Sequence, residues 1–113
     1  MFIMKLEPEY FDQIKSGEKF YEARINDEKR KKIRIGDTIL FKKKPELYLG
    51  VLTKVVDIRY FNTFFEMAQT LDIKGLGFDG KNAESIKDTY YQFYSKEEEQ
   101  EFGVVVFKLE VIN

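Results

Sequence analysis

The chain has 113 residues, 43% hydrophobic and 35% charged, which predicts one folded domain over residues 1–113. It has no Cys and no His, which excludes disulfides, Cys/His metal sites and a catalytic imidazole or thiolate. The net charge is −1, but residues 1–60 carry +4 and residues 61–113 carry −5. This asymmetry is typical of a protein with one charged binding face, or of a dipolar surface without a partner.

The hydrophobic pattern predicts strands and helices in a definite order along the chain. The predicted elements are strand 1–6, helix 8–16, strand 18–25, helical turn 27–32, strand 35–41, strand 48–61, helix 62–71, helix 83–94, helix 96–101 and strand 104–112. Five local signals accompany them: Gly17 as a helix stop, Asn26 and Asn62 as N-caps, Gly50 as a bulge, and a capping box from Ser95 to Glu98.

Strands come first in this order, helices follow, and one strand closes the chain. The order predicts an α+β fold, in which a small mixed or antiparallel sheet curls toward a barrel and carries helices. No apolar run approaches the roughly 18 residues of a membrane span, and the N-terminus becomes charged too early for a signal peptide. We therefore expect a cytoplasmic protein with no membrane partner.

The segment "GEKFYEAR" at 17–24 concentrates charge beside a predicted turn. Glu22 and Arg24 are two residues apart, so they share one face of a strand and can pair. Lys19 and Glu22 lie on opposite faces of a regular strand, and they share a cleft only if Lys19 lies in the turn or the strand is bulged. The segment indicates either an anion-facing cleft or an ordinary charged edge strand.

Two cationic clusters flank the strand that follows. They consist of Lys29, Arg30, Lys31, Lys32 and Arg34 before it, and of Lys42, Lys43 and Lys44 after it. Such clusters favour a phosphate-binding surface, although a solvated helix face has the same composition. Six tyrosines are candidates for stacking on bases: Tyr21, Tyr48, Tyr60, Tyr90, Tyr91 and Tyr94. Because no P-loop, dinucleotide or metal-ligand spacing is present, we expect no cofactor and no metal.

The stretches "LEPEYFDQIKSGEKFYEARINDEKRKKIRIGDTILF" and "YYQFYSKEEEQEFGVVVFKLEV" resemble the ASCH (activating signal cointegrator homology) domain, a relative of the PUA RNA-binding domain. The most specific part is G-x-K-x-x-E-x-R at Gly17–Arg24. The resemblance implies a PUA-like small mixed β-barrel with helices packed around it. It also implies a cleft beside this strand, where Lys19 and Arg24 would contact RNA and Glu22 would lie between them.

The leading hypothesis is therefore an RNA- or nucleotide-binding domain. Its candidate contacts are Lys19, Glu22, Arg24, Lys29, Arg30, Lys31, Lys32, Arg34, Lys42 and Lys43. The sequence leaves the ligand, any protein partner and the oligomeric state open.

Two alternatives remain from the sequence. Some small members of the superfamily are amidohydrolases that act on acetylated cytidine through a Lys, a Thr three residues later and a distant Glu. Here Lys19 is kept, Glu22 stands in the place of the Thr, and Glu66 is a candidate for the distant carboxylate. If the chain is an enzyme, Lys19 and Glu22 are the expected catalytic residues. The other alternative is a protein-interaction module that uses the acidic helix at 96–101.

Overall fold

The computed structural model describes residues 1–112 and joins five strands into one curled sheet. The strands are β1 (Phe2–Leu6), β2 (Tyr21–Ile25), β3 (Thr38–Lys43), β4 (Gly50–Phe61) and β5 (Val104–Val111). Their order across the sheet is β1-β3-β4-β5-β2, with β1 parallel to β3 and the other neighbours antiparallel. The sheet is therefore mixed, as the sequence predicts.

Four α-helices pack around this sheet. They are α1 (Pro8–Ser16), α2 (Phe64–Thr70), α3 (Ala83–Tyr90) and α4 (Lys96–Phe102), and a 3₁₀ helix spans Arg30–Lys32. The result is a half-barrel with helices around it, which confirms the predicted α+β, PUA-like fold.

The last strand separates two hydrophobic clusters. Side chains alternate along β5, so Val105 and Phe107 join one cluster while Val104 and Val106 join the other. The first cluster lies against β1, β3, β4 and α1, and the second lies under α2 and α3. Because both faces of β5 are buried over residues 104–107, this half of the strand is a continuous apolar run, whereas Lys108 and Glu110 are exposed.

The end of α1 positions the candidate site. Pro8 occupies the first turn, and Gly17 ends the helix in the left-handed conformation with φ of 88°. The Gly17 N–H donates to the carbonyl of Ile14 at 3.1 Å, and the Lys19 N–H donates to the carbonyl of Gln13 at 3.0 Å. The chain thus folds back on α1 before β2 begins, as the Gly17 signal predicts.

Two predicted N-caps are wrong by a few residues. The hydroxyl of Thr63, not Asn62, accepts the Glu66 N–H and caps α2. The 3₁₀ helix begins at Arg30, and the Asp27 carboxylate accepts the Arg30 N–H, so Asn26 is not its cap. In both places several residues with capping side chains stand together, and tertiary packing selects among them.

Other boundary signals had mixed outcomes. The register of β4 shifts between Val55 and Asp57, not at Gly50, which starts the strand. The predicted helix 83–94 ends at Tyr90. The capping box of Ser95 and Glu98 is confirmed. No helix within residues 1–112 has the length and apolar character needed to cross a membrane.

Candidate functional site

The two edge strands of the curled sheet face each other across a gap, which we call the seam. Among residues 1–112, β1 pairs only with β3, and β2 pairs only with β5. Across the seam, Nη2 of Arg24 on β2 donates to the carbonyl of Lys5 on β1 at 3.1 Å. A side chain thus joins the two edges where a closed barrel would have a backbone ladder.

Lys19, Glu22 and Arg24 form one buried ion cluster at the seam, the charged triad. Nε of Arg24 lies 2.7 Å from Oε2 of Glu22, and Nζ of Lys19 lies 3.3 Å from Oε1 of the same carboxylate. The strand begins only at Tyr21, so Lys19 lies in the turn before it. This placement is the first of the two arrangements by which Lys19 and Glu22 share a cleft.

The ammonium group of Lys19 has acceptors for all three of its protons. Besides contacting Glu22, Nζ donates to the carbonyl of Tyr21 at 2.6 Å and to that of Leu76 at 2.8 Å. The residue is only 3% exposed. Burial lowers the pKa of Lys19, the charge of Glu22 opposes that shift, and the charge of Arg24 adds to it. The contacts are nevertheless those of a bound ammonium ion, because all three are acceptors.

The other two members of the triad are held in their charged forms. Burial alone would raise the pKa of Glu22, but the charges of Arg24 and Lys19 outweigh it and lower that pKa. Burial alone would lower the pKa of Arg24, but the Glu22 carboxylate outweighs it and raises that pKa. With two cations and one anion, the triad carries a net positive charge into the seam.

The loop between α2 and α3 forms one wall of the site. The carbonyl of Gly75 accepts N–H groups from both Phe20 and Tyr21 at 2.9 Å, and the next carbonyl, Leu76, accepts Lys19. A Cβ atom on Gly75 would lie 2.7 Å from Cζ of Phe20. The glycines of this loop therefore allow close backbone approach to the Lys19 turn.

A pocket of about 130 Å³ opens above the triad. Besides the triad, aromatic residues dominate its lining: Tyr10, Phe78, Tyr90, Phe93 and Tyr94. Lys5 and Lys44 add cations, Glu7 adds a carboxylate that pairs with Lys44, and Thr89 adds a hydroxyl. The pocket thus combines ring surfaces with a buried positive charge.

The aromatic wall is packed from behind. The Tyr90 ring stacks on Phe64 with centroids 4.6 Å apart and planes within 3°, and Tyr94 stacks on the same ring at 5.7 Å. Phe78 meets Tyr90 edge-on at 6.0 Å. Phe93 is 57% exposed, and no ring contact is recorded for it in the described part of the chain. Packing therefore fixes Tyr90 and Tyr94 and leaves Phe93 available.

The phenol groups of the pocket are protonated at neutral pH. Burial raises the pKa values of Tyr10, Tyr90 and Tyr94, and the negative charge of Glu22 contributes in all three cases. All three phenols line the pocket together with the triad. As neutral groups, they are able to donate hydrogen bonds to a ligand.

The structure brings three predicted site residues together in the pocket: Lys19, Glu22 and Arg24. The remaining predicted contacts do not line it, namely Lys29, Arg30, Lys31, Lys32, Arg34, Lys42 and Lys43. Two cations of the first cluster pair locally, Arg30 with Asp27 at 3.2 Å and Lys31 with Glu28 at 3.4 Å.

Lys43 pairs with Asp12 at 2.9 Å, away from the pocket lining. Its neighbour Lys44 lines the pocket, although the predicted contact set stopped at Lys43. Glu66 is exposed on α2 and does not line the pocket. Glu66 is therefore poorly placed to act with Lys19.

Two of the six candidate tyrosines, Tyr90 and Tyr94, line the pocket. Their spacing of four residues is the sequence signal that joins them. Tyr48 and Tyr60 are exposed elsewhere, at 78% and 65%. Sequence reasoning missed Tyr10 on α1, Thr89 on α3 and Phe93 just beyond α3, because no local motif joins these segments.

Comparison with known proteins identifies the family. The model of the ASCH domain matches residues 4–113. The chain belongs to the ASCH domain family. This family is PUA-like, and its members often bind RNA. No match is found among proteins with curated descriptions.

Solved structures agree with this assignment. The crystal structure of the hypothetical protein PH0355 is 36% identical, covers 98% of each chain and has a TM-score of 0.87. The solution structure of PF0455 from Pyrococcus furiosus is 30% identical, covers 99% of this chain and 97% of its own, and has a TM-score of 0.72. The ASCH protein of Zymomonas mobilis is 14% identical, covers 96% of this chain and 65% of its own at a TM-score of 0.66, and shows the common fold.

Proposed function

We propose that this ASCH domain binds RNA or a nucleotide by placing one base in the seam pocket. The observation that carries the proposal is the combination of aromatic walls with the buried charged triad. Aromatic rings stack on any base, and buried guanidinium groups donate to base edges. The pocket offers both features in one place.

The size of the pocket supports a single base. Its volume of about 130 Å³ lies below the roughly 300 Å³ at which sites for drug-sized ligands begin. A ring system therefore enters, while the sugar and phosphate remain at the mouth. Exposed Phe93 supplies a stacking surface there.

Cations near the mouth suit the phosphate. Lys44 pairs with Glu7 at 3.1 Å, but both side chains are nearly half exposed. Such exposed pairs contribute at most about 1 kcal/mol, so Lys44 can exchange Glu7 for a phosphate. The exposed cations at 29–34 lie outside the pocket and would add long-range, salt-dependent attraction.

The test measures fluorescence anisotropy of labelled single-stranded and duplex RNA at two salt concentrations. Phe93→Ala removes an exposed ring and should weaken single-strand binding about tenfold, since stacking contributes about 1–3 kcal/mol per base. Tyr60→Ala is the matched control, because Tyr60 is also exposed but does not line the pocket. Equal losses from the two variants, or no salt-sensitive binding, would contradict the proposal.

The amidohydrolase alternative gains one observation from the pocket. Thr89 brings a hydroxyl to the lining, although Glu22 stands where that family subset has its Thr. However, Lys19 has acceptors for all its protons, and both oxygens of Glu22 are engaged. A catalytic role would require these groups to leave their partners. Turnover of acetylcytidine that Thr89→Val abolishes, in a folded protein, would favour the alternative over simple binding.

A further inference from the structure

The charged triad presents free donors to the pocket, and its own carboxylate is fully engaged. Both oxygens of Glu22 and all three protons of Lys19 are already bonded. Arg24 uses one N–H for Glu22 and one for the Lys5 carbonyl. Because a guanidinium has five N–H groups, three remain without a protein acceptor in the described part of the chain.

The phenols of the pocket add to this excess of donors. For the hydroxyls of Tyr10, Tyr90 and Tyr94, no protein hydrogen bond is found within residues 1–112. The Thr89 hydroxyl already donates to the carbonyl of Ser85 at 3.2 Å. Side-chain N–H and O–H groups therefore outnumber the side-chain acceptors of the pocket. Those acceptors are hydroxyl oxygens and the half-exposed carboxylate of Glu7, whose Oε1 already accepts from Lys44.

We infer that the pocket selects nucleobases by their exocyclic group and prefers oxo bases, such as uracil, to amino bases, such as cytosine. The inference rests on the proposed function, because it assumes a base in the seam pocket. An exocyclic carbonyl offers two lone pairs to Arg24 and the phenols. An exocyclic amino group brings two more N–H groups into a site that is already rich in donors. The adjacent ring nitrogen acts in the opposite sense, because it carries one proton in the oxo base and a lone pair in the amino base. The oxo edge still has one N–H fewer and one lone pair more than the amino edge.

The size of the discrimination follows from the cost of an unpaired polar group. A buried donor without an acceptor costs about 1–3 kcal/mol, which corresponds to roughly 5- to 150-fold in affinity. Steric fit does not explain such a preference, because uracil and cytosine are nearly the same size. The selectivity would therefore depend on hydrogen bonds from Arg24 and the phenols.

The experiment compares single-stranded U10 and C10 as competitors for the labelled RNA used above. The two decamers have the same number of phosphates and rings of the same size. We expect U10 to compete roughly tenfold more strongly than C10. An inosine decamer should likewise compete more strongly than A10, because the same exchange of oxo for amino separates these purines.

Three variants locate the source of selectivity. Tyr94→Phe keeps the ring and removes one donor, so it should lower the U10 to C10 ratio about threefold or more while C10 affinity changes less than about twofold. Arg24→Lys keeps the charge and removes the planar set of guanidinium N–H donors, so it should also lower the U10 to C10 ratio. Tyr60→Phe, outside the pocket, should leave the ratio unchanged.

The outcomes separate this inference from the proposed function. Equal competition by U10 and C10, or stronger competition by C10, would overturn the inference and leave RNA binding intact. A ratio that survives in Tyr94→Phe would also overturn it, and this variant keeps the test decisive if Arg24→Lys fails to fold. Failure of every decamer to bind would overturn both proposals.

Discussion

The seam and the 29–34 segment are both rich in cations, but the cations of the seam are buried whereas most of those at 29–34 are exposed. Lys19 and Arg24 are buried around one carboxylate, whereas Lys31 and its partner Glu28 are exposed at 47% and 84%. Breaking a buried pair leaves an uncompensated charge, while an exposed pair is compensated by water. The number of cations in a segment therefore says little about its energetic importance, which depends on burial and pairing.

The largest expected difference between the two regions is in stability. Glu22→Gln should lower the free energy of unfolding by about 3–5 kcal/mol, because it leaves Lys19 and Arg24 buried without their shared anion. Glu28→Gln, its matched control, should change that free energy by less than about 0.5 kcal/mol. Urea unfolding of both variants measures the difference in free energy of unfolding. Comparable losses would show that the buried triad does not stabilise the fold more than the exposed pair does.

Two glycines test whether the wall of the seam is rigid. Gly77 and Gly36 have nearly the same φ, 99° and 97°, so alanine introduces similar backbone strain at both. A Cβ atom at Gly77 would lie 2.7 Å from Oε1 of Gln13, which can rotate away, and 3.1 Å from Cδ of Lys19, which its three contacts hold in place; nothing lies within 4 Å at Gly36. Gly77→Ala should therefore cost about 1–3 kcal/mol more than Gly36→Ala in thermal or urea unfolding. If the loop between α2 and α3 can move to make room for the methyl group, the two variants will lose equal free energy of unfolding.

The pH dependence of stability provides a smaller signal from the same carboxylate. The folded-state pKa of Glu22 lies below its ordinary value of 4.5, so ionised Glu22 contributes stability above pH 4.5. That contribution is lost as the pH falls through the lower, folded-state pKa. Between pH 6 and pH 3 the wild type should lose more stability than Glu22→Gln. Parallel pH curves for the two proteins would contradict the coupling of Glu22 to the cations.

The smallest expected effect concerns the salt dependence of RNA binding. The plot of log affinity against log salt concentration has a negative slope. Lys44→Gln at the pocket should make this slope shallower by about 0.7, which is the contribution of one phosphate contact on a single strand. Lys31→Gln should change it less, because Lys31 lies outside the pocket and pairs with Glu28. If Lys31→Gln has the larger effect, the exposed segment is the main phosphate contact and the seam is not.

Local sequence signals predicted the pairing of Glu22 with Arg24, whereas they left the position of Lys19 dependent on whether it lies in the turn after Gly17. A turn residue and the two-residue period of a strand were enough to place Glu22 beside Arg24. The predicted strands and helices also fall near their observed places, since hydrophobic period and capping are local properties.

The rest of the pocket depends on contacts between distant segments. The carbonyl of Leu76 accepts a hydrogen bond from Lys19, 57 positions away in the sequence, and no local motif predicts this contact. Within the run Lys42–Lys44, only Lys44 lines the pocket, because it stands just beyond the end of β3. Composition alone cannot predict which of three successive lysines lines the pocket, because that depends on where β3 ends.

The hydrogen bond from Arg24 to the Lys5 carbonyl also bears on how the molecule behaves at high concentration. Because the sheet is not closed, β1 and β2 keep strand edges, and unprotected edges recruit strands from other molecules. Here Arg24 spans the seam and the exposed charged side chain of Lys5 lies beside it, so a neighbouring strand would have to displace the first and desolvate the second. The same residues that shape the pocket therefore oppose aggregation through the open side of the barrel.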